Sequence, residues 1–357
     1  MVNGLRQFFN LRKTTQKIAI VLLLMLALAL SLPTHGFAKE TSSAKVHFID
    51  VGQGDSILIE TPSGQAILVD GGTASAGQKV ISYIQAQGIT ELYGVVATHP
   101  HEDHIGGLVH VIKVFPVQNF FMPNKEHTTA TFANLVDAVN KSGAKRIQAK
   151  SGVTFEIDGV SFEFLSPIKF DYRNLNDYSA VIKVTHGKNR FLLTGDAEKE
   201  SELYMRLEGH NLRADVLKVG HHGSNTSTSG DFVGMVLPRY SVISVGKDNS
   251  YGHPHEHVLN LLEIIKSDVY RTDELGTIVA ISDGETLAFA FEKTPVISKA
   301  KSEEKAVETQ EVTVYITRTG SKYHRAGCRY LRQSMIPIKL SDAKKRYGAC
   351  SVCRPPM

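Results

Sequence analysis

One segment constrains this chain more than any other. Thr98-His99-Pro100-His101-Glu102-Asp103-His104 sets three histidines and an aspartate within six positions, directly behind the apolar run Gly94–Thr98, and Gly106-Gly107 follow. Imidazole and carboxylate are the groups that hold zinc, manganese or iron, at about 2.0–2.2 Å. A loop at the carboxyl end of a strand can turn several such side chains toward one point. The H-x-H-x-D-H spacing suits two adjacent metals, with one pair of ligands for each.

Four further strand ends deliver the same chemistry. Asp70 ends Ile67-Leu68-Val69-Asp70-Gly71-Gly72, and Asp196 ends Phe191-Leu192-Leu193-Thr194-Gly195-Asp196. His221-His222-Gly223-Ser224 ends Val216–Gly220, and His253 and His255 follow Ser241–Gly246. Strand ends of this kind are expected to converge on one edge of the fold. His47, His110, His127, His186, His210 and His257 lack partners in sequence and are expected to be structural or superficial.

The remaining pattern predicts short strands mixed with helices and hairpins. Val46–Val51, Ser56–Glu60, Ala66–Val69 and Gly94–Thr98 read as strands. Helices are expected around Ile81–Ala86 and over Phe132–Val139. Val153–Leu165 reads as a hairpin turning at Asp158-Gly159, a dipeptide suited to a type I′ turn. Ala180–Thr194 reads as a second, turning at Gly187-Lys188-Asn189. Asp215–Val219 and Ser241–Val245 read as buried strands, and Ile278–Ile281 and Thr286–Phe291 as a hairpin around Asp283-Gly284. The fold class is α/β, two mixed sheets with helices outside.

Composition sets the outer bounds. The 357 residues are 42% hydrophobic and 21% charged, which supports a folded core and argues against disorder. No apolar run reaches the roughly 18 residues of a membrane span, so no transmembrane channel is expected in this chain. The formal charge of +4 combines unlike parts. Residues 1–38 hold Arg6, Arg12, Lys13 and Lys17 and no acid. Residues 294–357 hold 13 basic and 5 acidic residues and carry +8, which leaves 39–293 at −8. The basic start, the apolar stretch Ile18–Leu32 and Gly36-Phe37-Ala38 read as a secretory signal peptide cut after Ala38. The protein is therefore expected to be secreted or at the cell surface. Residues 294–311 read as a linker.

A small module is expected over 312–357. His324, Cys328, Cys350 and Cys353 form an H-x3-C…C-x2-C set, a donor set suited to closed, structural zinc. A Cys350–Cys353 disulfide with a free Cys328 is the alternative. Arg318, Lys322, Arg325, Arg329, Arg332, Lys344, Lys345, Arg346 and Arg354 surround the set, with Tyr323 and Tyr330 among them. Such a patch suits nucleic-acid phosphates, or the anionic polymers and lipids of a cell envelope, and is equally compatible with a solvated basic face. No base-reading motif accompanies it, so any DNA contact is expected to be independent of sequence.

Over about 46–293 the chain resembles the metallo-β-lactamase fold hydrolases, with an αββα sandwich implied. Asp50-Val51-Gly52-Gln53-Gly54-Asp55-Ser56, Val219-Gly220-His221-His222-Gly223-Ser224 and Tyr251-Gly252-His253-Pro254 are similar to the extracellular domain of ComEC-type competence proteins. The tail resembles Ada-like metal-binding modules. The first resemblance implies two divalent ions, zinc or manganese. His99 and His101 would bind one, and Asp103 and His104 the other. Asp196 would bridge them, His221 or His222 would complete the second, and Asp70 would orient ligand histidines. The family usually supplies a further histidine where this chain has Leu175-Asn176-Asp177-Tyr178-Ser179. Asp103 or Asp196 would take a proton from the attacking water, and His253 and Ser224 would contact a phosphate oxygen. The implied activity is a phosphodiesterase or nuclease on extracellular DNA. A phosphorylcholine esterase-like activity and a DNA-binding protein with a structural metal site are the alternatives.

Overall fold

The computed structural model describes residues 43–294, 313–331 and 334–356. The expected signal peptide over 1–38, and the expected linker apart from Thr294, lie outside the described residues. The chain divides into two compact units between Thr294 and Pro295.

The first unit starts with β1 (Ala44–Phe48), β2 (Ile57–Glu60) and β3 (Ala66–Val69), followed by α1 (Gly77–Ala86), β4 (Leu92–Val96), the one-turn α2 (Glu102–Ile105) and α3 (Leu108–Val114). Next come β5 (Val117–Met122), α4 (Ala130–Ser142) and β6 (Lys145–Gln148). The second half runs β7 (Thr154–Ile157), β8 (Val160–Ser166), β9 (Val181–His186), β10 (Asn189–Leu193), α5 (Lys199–Leu207) and β11 (Val216–Lys218). It continues with α6 (Gly230–Val236), β12 (Tyr240–Ile243), α7 (Glu256–Ile264), β13 (Asp268–Arg271) and α8 (Thr272–Leu275), and ends in β14 (Ile278–Ser282) and β15 (Leu287–Phe291).

These strands form two mixed sheets. The eight-stranded sheet runs β15-β14-β1-β2-β3-β4-β5-β6, and the seven-stranded sheet runs β13-β12-β11-β10-β9-β8-β7. The last hairpin returns to the first sheet by pairing β14 antiparallel to β1, with His47 opposite Val279.

Alternation along the strands explains the layering, because successive side chains point to opposite faces. Ile57 and Ile59 join Ile67, Val69, Phe162, Phe164, Phe191 and Val216 between the sheets. Leu58 and Leu68 point outward to Val80, Ile84 and Leu135 of α1 and α4. Leu192 and Leu217 meet Met205, Phe232 and Leu262 of α5, α6 and α7 on the opposite outer face. Each such side chain contributes about 1.5–3 kcal/mol by leaving water. Three apolar layers between four structural ones give the αββα sandwich.

Local chemistry sets the turns. Asp158 and Gly159 have φ of +52° and +76°, as a type I′ turn requires, and Ile157 pairs with Val160. The second hairpin is tighter than expected: His186 pairs with Asn189, so only Gly187 and Lys188 form the turn. The third keeps a four-residue turn but one position later, because Ser282 pairs with Leu287. Thr286 caps the turn by donating to the Asp283 carboxylate, and the strand starts at Leu287. β5, β6 and β13 are additional to the strands expected from sequence. The edge strand β6 reads Lys-Arg-Ile-Gln, with no alternation to reveal it. His47, His186 and His210 do take structural partners: Glu60 with Tyr83, Ser282, and Ser151.

The second unit holds β16 (Thr313–Ile316), β17 (Lys322–His324), β18 (Ile336–Lys339), α9 (Leu340–Arg346) and β19 (Gly348–Ala349) in the sheet order β18-β16-β17-β19. Its core is small: Val314, Ile316, Tyr323 and Ala343. Among the described residues, no helix is long and apolar enough to cross a membrane.

Candidate metal centre

Strand direction gathers the site. β3 runs parallel to β4, and β10, β11 and β12 run parallel to one another. Parallel strands deliver their carboxyl ends to one edge, where ligands of α/β sheets bind. Asp70 follows β3, His99 and His101 follow β4, Asp196 follows β10, His221 and His222 follow β11, and His253 follows β12. The expected loop after β4 becomes a one-turn helix at Glu102, so Asp103 and His104 sit on helical backbone.

Asp103, His104, Asp196 and His222 offer ligand atoms that all lie within 4.8 Å of one another. Asp196 Oδ2 is 3.2 Å from His104 Nε2 and 3.5 Å from His222 Nε2. Asp103 Oδ2 is 3.3 Å from His222 Nε2 and 3.8 Å from His104 Nε2. The Nε2 atoms of His104 and His222 and Oδ1 of Asp196 are buried without a hydrogen-bond partner. Leaving such atoms unpaired costs free energy, and a divalent ion held by Asp196 Oδ2 and Asp103 Oδ2 would satisfy the two ring nitrogens together. The donor set thus fits a borderline-hard divalent cation.

The other ring nitrogens are spoken for. His104 Nδ1 is 2.8 Å from Asp70 Oδ2, and Thr98 donates to both Asp70 oxygens from its amide (2.8 Å) and hydroxyl (2.6 Å). His222 Nδ1 is 2.9 Å from the Ser244 carbonyl. These bonds present Nε2 of each ring to the site. Asp70, His221 and His222 all have positive φ, +58°, +48° and +54°, a conformation that costs a non-glycine residue about 1–2 kcal/mol.

His221 and His222 separate clearly. His222 is buried at the ligand cluster. His221 turns outward, with Nδ1 3.1 Å from Glu198 Oε1 and Nε2 3.8 Å from Asp196 Oδ2. His99 and His101 lie beside the cluster. His99 Nε2 is 2.9 Å from His101 Nδ1 and 3.9 Å from Asp196 Oδ2. Where a further family histidine was missing, Ser179 Oγ stands 3.4 Å from His99 Nδ1 and accepts the Asp196 amide. Asp177 faces away and accepts the amides of Glu198 and Ser201 at the start of α5. His127, expected to be structural or superficial, has its ring 6.3 Å from that of His101. Ser224 is buried and engaged by Thr226. His253 has a buried Nδ1 without a partner, and its ring lies 6.4 Å from that of His222.

Two charged residues had received no role from the sequence. Lys218 is fully buried, with Nζ 2.5 Å from Asp55 Oδ2, 3.0 Å from the Gly195 carbonyl and 3.9 Å from Asp196 Oδ1. Asp55 also lies 3.4 Å from His222 Nδ1. A lysine inside the apolar run Val216-Leu217-Lys218-Val219 was the available signal, since lysine is almost never fully buried unless paired. Gly54 brings this segment in: with φ of +130°, its position would set a Cβ 2.3 Å from the Asp103 carbonyl.

Charge balance follows from these contacts. Burial would raise Asp196 and Asp55, yet His104 and His222 hold Asp196 well below the carboxylate range, and Lys218 holds Asp55 below it. Burial would likewise deprotonate His104 and His222, but the surrounding carboxylates raise both. His99 is lowered by burial and by His104. Burial and the neighbouring imidazoles push His253 down to about 4, so it is neutral at pH 7.

In the second unit, His324, Cys328, Cys350 and Cys353 also bring ligand atoms within 4.8 Å of one another. His324 Nδ1 is 3.3 Å from Cys328 Sγ, and all three cysteines are free thiols. The set fits a closed tetrahedral zinc shell.

The comparisons agree with this geometry. "ComE operon protein 3" of Bacillus subtilis is 35% identical over 255 residues, covering 67% of this chain and 33% of that protein. "Recombination protein 2" of Haemophilus influenzae is 34% identical over 240 residues, covering 66% and 28%. "Competence protein ComA" of Neisseria gonorrhoeae is 34% identical over 239 residues, covering 66% and 32%. The chain therefore spans about a third of the length of the curated relatives it matches. The sequence model of the Metallo-beta-lactamase superfamily matches residues 49–247, a stretch that holds β2 through β12 and His99 through His222. The chain belongs to the metallo-β-lactamase superfamily.

Proposed function

We propose that this protein is a secreted, metal-dependent phosphodiesterase that hydrolyses extracellular DNA. The observation that carries the reading is the convergence of partnerless, buried donor atoms on His104, His222 and Asp196, beside the more open carboxylate of Asp103. One relative is a competence protein by name, which favours DNA as the substrate.

Asp103, His104, Asp196 and His222 would hold one divalent ion, zinc or manganese, and His99 and His101 with Asp196 a second. Ions bound there supply Lewis-acid polarisation of a phosphoryl oxygen and acidify a water. The chain's own residues do the rest. Asp70 fixes the His104 ring. Asp103, with its side chain 32% exposed, stands on the open side, where it orients the attacking water and takes its proton. His253 offers a neutral imidazole N–H to a phosphoryl oxygen. The acidic body at −8 repels a polyanion at long range, and the basic segment 294–357 at +8 offsets that repulsion. That segment is proposed to hold DNA, or another anionic polymer of the envelope, without reading its sequence.

The test incubates the protein with linear DNA and with bis-p-nitrophenyl phosphate, adding Mn²⁺ or Zn²⁺, beside His104→Ala. Cleavage of either phosphodiester that requires metal and is lost in the variant is expected. Absence of metal-dependent cleavage of both refutes the reading.

A further inference from the structure

Tyr251 is 65% exposed, although it stands at the rim of a buried ligand cluster. Its ring stacks on His253, with centroids 5.6 Å apart and planes inclined by 22°. His253 in turn lies 6.4 Å from His222, inclined by 31°. The three rings form a series, stacked at its outer pair and tilted at its inner one, from a ligand imidazole out to solvent.

The loop that carries this series is held firmly. Asn249 Nδ2 donates to the carbonyls of Gly246 (2.9 Å) and His253 (2.7 Å). Asn249 Oδ1 accepts the amides of Tyr251 (3.2 Å) and His253 (3.0 Å). Gly246 is itself tied to Gln53 Oε1 at 3.1 Å. One asparagine thus fixes both ends of the segment bearing the two outer rings. A rigidly presented aromatic face loses little conformational freedom when it binds.

We infer that Tyr251 is a stacking platform for an unpaired nucleobase of a polynucleotide whose phosphate lies at the metal centre. The inference rests on the phosphodiesterase reading and narrows its substrate to nucleic acid with a splayed or single-stranded base. Successive bases stack on exposed aromatic side chains without regard to sequence. A quaternary ammonium would require a cage of rings. Among the described residues, the ring contact of Tyr251 is with His253 alone, which gives a stacking face instead. A base in a duplex is already stacked on both faces and cannot use the platform without leaving the helix.

The chain contains no tryptophan, so Tyr251→Trp installs a unique fluorophore at the platform. The probe is a nuclease-resistant phosphorothioate oligothymidylate, titrated into the metal-loaded protein, with an abasic oligomer of equal length as control. Quenching by the oligothymidylate and little quenching by the abasic oligomer are expected. Tyr251→Ala should weaken oligothymidylate binding by about tenfold, and Tyr251→Phe by much less. No quenching, equal quenching by both oligomers, or unweakened binding by Tyr251→Ala overturns the inference. Base-dependent quenching without DNA cleavage would sink the hydrolase reading and keep the platform. Cleavage without quenching would do the reverse.

Discussion

The Lys218 ammonium lies 2.5 Å from the Asp55 carboxylate in a place where neither side chain meets solvent. Asp55 also faces His222, and Lys218 also faces Asp196, so this ion pair underlies the metal centre. A buried pair gains little over a well-packed apolar pair, but removing one member strands the other charge. Lys218→Met should therefore cost about 3–5 kcal/mol in metal-free protein. A bound dication would neutralise part of the stranded charge. Thermal melts in EDTA and in Zn²⁺ should show a larger metal-induced shift in the variant than in the parent; equal shifts would refute this role.

Asp70 acts through His104. Its Oδ2 accepts from the His104 ring, and Thr98 holds the carboxylate in place. Asp70→Asn sets an amide donor against these donors. The affinity for Zn²⁺, measured by competition with a chelator, should fall about 10–100-fold. An unchanged affinity would remove Asp70 from the account.

Gly54 lets the Asp55 segment close on α2. Its positive φ and its approach to the Asp103 carbonyl leave no room for a methyl group. The Asp55 amide, 3.2 Å from that same carbonyl, would be displaced with it. Gly54→Ala should keep the far-UV circular dichroism of the sandwich and lose metal at least tenfold more readily. A variant that binds metal like the parent would show that α2 tolerates the shift.

Burial raises the Asp177 carboxyl to about 6, above its ordinary 3.8. The native state then holds this proton more tightly than the unfolded chain. The stability it contributes is complete below about pH 4 and lost as pH rises through 6. Asp177→Asn retains an acceptor for the α5 amides without the ionisation. Urea unfolding in EDTA should find variant and parent similar at pH 4. At pH 7 the variant should gain about 1–2 kcal/mol, allowing for screening. A difference that stays constant with pH would contradict the assignment.

The tail should carry zinc of its own. His324→Ala should lower the zinc released by denaturation by one equivalent per chain. Its thiols should react faster with a thiol reagent, since the four donors no longer close a shell. Unchanged zinc content together with thiols that react equally fast in parent and variant would remove His324 from the shell.

The type of fold and a candidate set of metal-binding residues were legible along the chain. Ile57, Leu58 and Ile59 announce a strand buried on both faces, and His99-x-His101-x-Asp103-His104 behind a strand announces a metal. The H-x3-C…C-x2-C spacing did the same for the tail. These signals are local, because strand alternation and ligand spacing are written in consecutive residues. β6 escaped because an edge strand buries too little to need alternation. The Asp55–Lys218 pair escaped because its members lie far apart in the chain and meet only when β11 passes beneath the loop after β1. The choice between His221 and His222 was likewise left to the tertiary structure. Both have positive φ, and the partner of each Nδ1 separates them, because folding brings the Ser244 carbonyl behind β12 to the buried His222 ring and Glu198 to the more open His221 ring.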